Sequence, residues 1–226
     1  MGKIYEIFQK NFFPPKKGKH RDLPLQHNGP LPIITISREM GSGGKSIANL
    51  IALHLGKPWK VYDHELIDEI AKNKNLEEEL IQSIDPKRLP LADIIVNNIF
   101  GKRMPNLPGY HRHLIKVMSL VGLKGYSIIL GRGGNFLFPG SLNVRIICRL
   151  DQRITWQMTY EHILRAEAIK RIEESDRERR EFVESLFNHN HCKAYHYDLV
   201  IRTGSDITIE DAANIIIDLA KRKFKI

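Results

Sequence analysis

Ile33-Ile34-Thr35-Ile36-Ser37-Arg38-Glu39-Met40-Gly41-Ser42-Gly43-Gly44-Lys45-Ser46 is the stretch that decides how the chain reads. Its first four residues are all β-branched, a short run of the kind that forms a buried strand. Three glycines within four positions then turn the chain. From Ser46 onward Ile47, Leu50, Ile51 and Leu55 fall at helical spacing, and Gly56 is a natural stop. Glycine reaches backbone conformations that turn successive N–H groups inward. The helix start adds unpaired N–H groups and the positive end of its dipole. Strand, glycine turn and helix together read as a cradle for an anion. A plain tight turn with a solvated lysine would leave the three glycines without a use.

Gly41, Ser42, Gly43, Gly44, Lys45 and Ser46 nearly match the pattern G-x-x-x-x-G-K-S/T, with Glu39 where the first glycine usually stands. In that pattern the lysine meets β- and γ-phosphates and the hydroxyl at the Ser46 position reaches Mg²⁺. Ser46 is therefore the expected metal contact, and residues 41–46 the expected phosphate contacts.

Outward from this segment, apolar runs alternate with helical periods. Lys60–Tyr62, Tyr126–Leu130, Val144–Leu150 and Leu199–Ile201 read as strands. Helices are expected over 63–70, 76–84 (started by Asn75 with Glu78), 111–124 and 209–219. Pro86, Pro90, Pro105 and Pro108 break the middle into short pieces, the texture of an inserted lobe. Strands alternating with helices predict an α/β fold with a parallel sheet covered on both faces.

The chain has 226 residues, 35 Lys+Arg against 26 Asp+Glu, and a net charge of +9. Residues 1–30 hold six Lys/Arg and two acids, and residues 221–226 hold four bases and no acid. The remaining body is nearly neutral, and neither end carries a recognition motif, which argues against a nucleic-acid partner. Residues 1–30, rich in Pro and Lys, read as a basic N-terminal extension ahead of a domain over 31–226. No apolar run reaches the ~20 residues of a membrane span. Two cysteines make no disulfide framework, so a reducing, cytoplasmic setting is expected. Oligomeric state is left open.

Ser37-Arg38-Glu39 running into the glycines, then Tyr62-Asp63-His64-Glu65-Leu66-Ile67, Leu76-Glu77-Glu78-Glu79, Gly131-Arg132-Gly133-Gly134-Asn135, Asp176-Arg177-Glu178-Arg179-Arg180 and Tyr197–Gly204 resemble, in this order, the cytidylate-kinase-like family. The blocks span roughly residues 32–220. Ser-Arg-Glu before the glycines is usual in that family. The resemblance implies a P-loop NTPase-type five-stranded parallel sheet with helices on both faces. It also implies a small helical acceptor lobe (about 64–112) and an Arg-bearing lid (about 165–190). The implied activity is phosphoryl transfer from ATP, with Mg²⁺, to a nucleoside monophosphate, CMP or dCMP by family default.

Such a reaction brings two polyanions together, which calls for placed cations. Lys45, Arg132, Arg177 and Arg180 are the expected catalytic residues. Arg171, Arg179, Arg38 and Asp63 are further acceptor or lid candidates. Arg38 lies over the glycine turn or pairs with Glu39; Asp63 faces the site or caps the next helix.

The sequence departs from the family at the acceptor. Gly133 stands where cytidylate kinases carry the Asp of Gly-Arg-Asp. His64 and Glu69 stand where they carry a Ser and an Arg. Two other readings therefore stay in view: a nucleotide-binding sensor without turnover, and a kinase of another small molecule. His189, His191, Cys192 and His196 suit soft-ligand metal chemistry in type but match no standard zinc spacing, and read as a polar connection between lid and strand.

Overall fold

The structure, a computed structural model, describes residues 31–101, 106–138 and 140–226. The basic extension over 1–30 lies outside the described residues. Five strands form one sheet: β1 (Ile33–Arg38), β2 (Lys60–Tyr62), β3 (Ser127–Leu130), β4 (Leu142–Cys148) and β5 (Leu199–Thr203), in the order β2-β3-β1-β4-β5. β1 is central. Ile33, Ile34 and Ile36 are buried, as an interior strand between two helical layers requires. It runs parallel to β4 with Ile34 opposite Leu142 and Arg38 opposite Ile146, and β4 is parallel to β5 with Val144 opposite Leu199.

The helices are α1 (Gly44–Leu55), α2 (His64–Lys72), α3 (Lys74–Gln82), α4 (Pro90–Phe100), α5 (Gly109–Lys124), α6 (Gly134–Leu137), α7 (Leu150–Glu161), α8 (Arg165–Phe187) and α9 (Ile209–Phe224). The helix expected to start at Asn75 begins earlier. Asn73, in extended backbone, accepts from the N–H groups of Asn75 and Leu76 at 3.0 and 3.4 Å and is the cap. α9 starts with a full capping box, Thr208 and Asp211 bonding each other's N–H groups. β4 begins two residues before its expected start and stops at Cys148, where the chain turns into α7.

The chain divides into two compact units. One comprises the helices of the 65–127 stretch with residues 137–140. Its core is α5, buried from Leu114 to Leu123 except at Lys116, against whose Gly122 the Phe138 ring packs. The other comprises 34–64, 128–136 and 141–226: the sheet, α1, α7, α8 and α9. Within it the amino ends of the strands are tied by structural bonds. Thr35 and Ser141 donate to Asn143 Oδ1 at 2.6 and 2.8 Å, and Lys223 donates to Asp198 at 2.8 Å. Chemistry in a parallel sheet gathers at the opposite, carboxyl ends. No helix among the described residues is long and apolar enough to cross a membrane.

Candidate active site

The glycine turn forms at the carboxyl end of β1. Ser42 is fully buried and donates to the Glu39 carbonyl at 2.9 Å, closing the loop on itself. Gly43, at φ 81°, caps α1 with no side-chain hydrogen bond, and the first turn carries no acidic residue. A Cβ on Gly43 would come within 2.9 Å of Ile209, and one on Gly44 within 2.8 Å of Arg38. Conformation favours glycine at position 43, and space favours it at position 44. Lys45 and Ser46 are exposed at the helix start. The Lys45 ammonium stands 2.9 Å from the Asp63 carboxylate, so Asp63, one residue past β2, faces the glycine loop's lysine. These backbone N–H groups, with Lys45, fit a bound phosphate. The Ser46 hydroxyl and the nearby Asp63 carboxylate are oxygen ligands of the type Mg²⁺ takes. Among the described residues no group of three or more His, Cys, Asp or Glu could hold a metal.

Glu39 is the residue that replaces the usual first glycine. Its carboxylate accepts from the Cys148 N–H at 2.9 Å and lies 3.9 Å from both Arg145 and Arg153. Both arginines are buried, at 5 and 8% exposure. Arg153 also bonds Asp176 at 2.6 Å, and Asp176 in turn accepts from the Met40 N–H at 2.8 Å. One α8 carboxylate thus binds the entrance of the glycine loop. Ile172 and Ala168, one and two turns earlier, pack with Ile154 and Met40.

Beside the loop opens a cavity of about 310 Å³, lined by residues of β1, the 131–135 turn and α8, with His64 and His191. Arg38, Arg132 and Arg179 stand on its wall. Arg38 lies over the glycine segment: its stem packs where a Gly44 side chain would be, and its guanidinium fills the place of a Gly131 side chain. Burial, then Arg179 and Arg132, push its pKa down to about 9, which leaves it charged at neutral pH. Arg132 has φ 55° and its guanidinium lies 4.7 Å from the Phe182 ring centre. Burial lowers the Arg179 pKa, while Asp176, 3.5 Å away, pulls it back up.

Three of the arginines named from sequence are elsewhere. Arg177 is exposed and pairs with Glu181 at 4.0 Å, Arg180 is exposed, and Arg171 pairs with Glu167 one turn away. None of the three lines the cavity, whereas Arg179 does. The stripe Ile172, Asp176, Arg179, Val183, Phe187, at spacings of four, three, four and four, turns inward together and carries the signal that selects Arg179.

Gly133 has φ 70°, and a side chain there would collide with the Phe187 ring. An aspartate at this position would displace the Phe187 ring and strain the backbone. Glu69 is exposed on α2. In the His-rich connection, His189 stacks on Phe136 at 4.8 Å between ring centres and His196 meets the same ring edge-on at 4.9 Å.

A second cavity of about 360 Å³ lies at the end of β5, between Arg149, Asp151 and Gln152 and the 202–207 segment. Thr203 donates to the Ser42 carbonyl at 2.9 Å and so ties this segment to the glycine loop.

The strand order, with a glycine loop leading from the central strand into a helix, defines a P-loop-type α/β fold. The chain belongs to the cytidylate kinase-like family, whose model matches residues 33–205. A solved structure from Eubacterium ventriosum, described as an uncharacterized protein, is 21% identical. It superposes at a TM-score of 0.57 over 84% of this chain and 98% of its own, a likeness of fold. A Thermus thermophilus structure at 20% identity reaches a TM-score of 0.45 over 84% of this chain and 97% of that one. A stretch of 100 residues is 30% identical to a uronate isomerase of Corynebacterium glutamicum. That stretch is 43% of this chain and 19% of the isomerase, so the chain matches about a fifth of the length of that curated relative.

Proposed function

We propose that this protein transfers the γ-phosphoryl group of ATP, with Mg²⁺, to a nucleoside monophosphate, CMP or dCMP being the acceptor that family membership suggests. The observation that carries the reading is a glycine loop with its Lys45–Asp63 pair adjoining a cavity lined by three arginines. The loop's N–H groups and Lys45 would hold the donor's phosphates, and Ser46 with Asp63 would hold the metal. Bound there, Mg²⁺ neutralises developing charge on the phosphates. The cavity at the end of β5 suits the donor's nucleoside. Arg132 and Arg38 would hold the acceptor phosphate, and Arg179 would screen the group in transfer. No general base is called for, because the acceptor phosphate is already an anionic nucleophile. In this reading residues of about 64–112 form the acceptor lobe and about 165–190 the lid.

The place filled by Phe187 beside Gly133 favours a second reading, ATP binding without turnover of a cytidine nucleotide. A coupled ADP-release assay with ATP, Mg²⁺ and a panel of nucleoside monophosphates separates the two. ADP release stimulated by one acceptor and abolished by Lys45→Ala supports the kinase. ATP binding with no stimulated release supports the sensor.

A further inference from the structure

Two buried polar groups on the wall of the arginine-lined cavity have no part in the phosphoryl transfer described above. Asn135, in α6, is 8% exposed, and its Nδ2 is buried without a hydrogen-bond partner. His191, four residues past α8, is 7% exposed, and its Nδ1 is likewise buried without a partner. Both residues line the cavity that holds Arg38, Arg132 and Arg179. Buried polar groups are almost always hydrogen-bonded, because leaving water without a replacement partner is unfavourable. Two unpartnered groups in one cavity are accounted for by a ligand that supplies both partners.

The chemistry of the pair is neutral. Burial, reinforced by Arg145 and Arg180, pushes the His191 imidazole down to about 4, so the ring is uncharged at physiological pH. Its Nε2 lies 3.9 Å from Cys192 Sγ, and in the tautomer that carries its proton on Nε2 the Nδ1 atom is an acceptor. Asn135 Nδ2 is a donor. One donor and one acceptor are thus offered, and at Gly133 the Phe187 ring fills the place of a side chain.

Resting on the kinase reading of this cavity, we propose that Asn135 and His191 read the uncharged end of the acceptor. That acceptor is a phosphate monoester whose far end presents an adjacent hydrogen-bond acceptor and donor, as the cytosine edge of CMP does. Asn135 donates to the ring nitrogen, His191 accepts from the exocyclic amine, and the arginines take the phosphate. This is recognition by two neutral groups in place of a carboxylate.

The test is calorimetric titration of CMP into the wild-type protein and into Asn135→Asp, His191→Leu and His191→Asn, with thermal midpoints measured alongside. Asn135→Asp keeps the shape and removes the donor. His191→Asn keeps a polar group near the place of Nδ1. The expected result is CMP affinity lowered about tenfold or more by Asn135→Asp and His191→Leu and largely recovered in His191→Asn, at unchanged thermal midpoints. Affinities within twofold of wild type in both of the first two variants overturn the inference. So does a loss that follows the thermal midpoint and is not recovered in His191→Asn. Wild-type protein that binds no CMP yet releases ADP with a different kind of acceptor overturns this inference and leaves the phosphotransfer reading standing. CMP bound through both residues without any turnover does the reverse.

Discussion

Two sets of arginines serve the glycine loop, and what faces them separates their roles. Arg145 and Arg153 are buried against carboxylates: Glu39 stands 3.9 Å from each, and Asp176 is 2.6 Å from Arg153. Arg38 and Arg132 line an open cavity, one over glycine positions and the other over the Phe182 ring. Arg179 belongs to both sets, touching Asp176 and lining the cavity. A buried cation that meets a carboxylate holds the fold together. One on a cavity wall, beside ring or glycine surface, stands where an entering anion meets it.

The comparison is easiest to break at Arg132. Arg132→Ala is expected to lower kcat/KM for the acceptor by about 10²–10³, the usual cost of removing one placed charge-stabilising donor. The thermal midpoint should stay within a few degrees, and a large loss of stability would move Arg132 into the structural set.

Asp176→Ala acts on the other set. It leaves the Arg153 guanidinium and the Met40 N–H short of a partner, and breaking a buried pair in this way costs about 3 kcal/mol. Urea denaturation should show it, whereas Arg132→Ala should scarcely move the urea midpoint.

His191 gives the pH dependence. Its folded pKa, about 4, lies below the ordinary 6.5 because burial and nearby arginines disfavour the charged ring. Between these values the unfolded chain binds a proton that the folded one refuses. Stability is therefore full above pH 6.5 and falls as the pH drops toward 4, by an amount on the order of 3 kcal/mol. His196, also lowered by burial, contributes in the same direction. Denaturation at pH 7 and pH 5 should show a smaller difference in His191→Asn than in wild type.

The smallest effects belong to arginines outside both sets. Arg171→Ala and Arg177→Ala each remove an exposed pair one turn apart and should change stability by less than about 0.5 kcal/mol. Acceptor-stimulated turnover should also be unchanged, and a large fall in either variant would return that residue to the site.

These contrasts mark where the sequence is legible. The glycine segment reads directly, because its signal is local: β-branched strand, three glycines, Lys45, Ser46 and an apolar helix stripe within 25 residues. Element order reads the same way. The face of α8 that turns inward does not follow from charge spacing, since Arg177 and Arg180 share a face as plausibly as Asp176 and Arg179 do. Only the apolar positions Ile172, Val183 and Phe187 break the tie, and they do so through packing. Arg145 sits between Val144 and Ile146 in a buried strand, a visible oddity, but its partner Glu39 is 106 residues away in sequence. Pairs closed only by the folded chain, such as Arg153 with Asp176 and Lys45 with Asp63, depend on topology. Asn135 and His191 are ordinary polar residues in sequence; their missing partners exist only in three dimensions.

The most direct measurement is ADP release by the purified protein with ATP, Mg²⁺ and CMP, run beside Lys45→Ala and Arg132→Ala. Acceptor-dependent ADP release in wild type, lost in Lys45→Ala and reduced about 10²–10³-fold in Arg132→Ala, is the predicted result. Release that ignores the acceptor, or that survives both substitutions, would contradict the account.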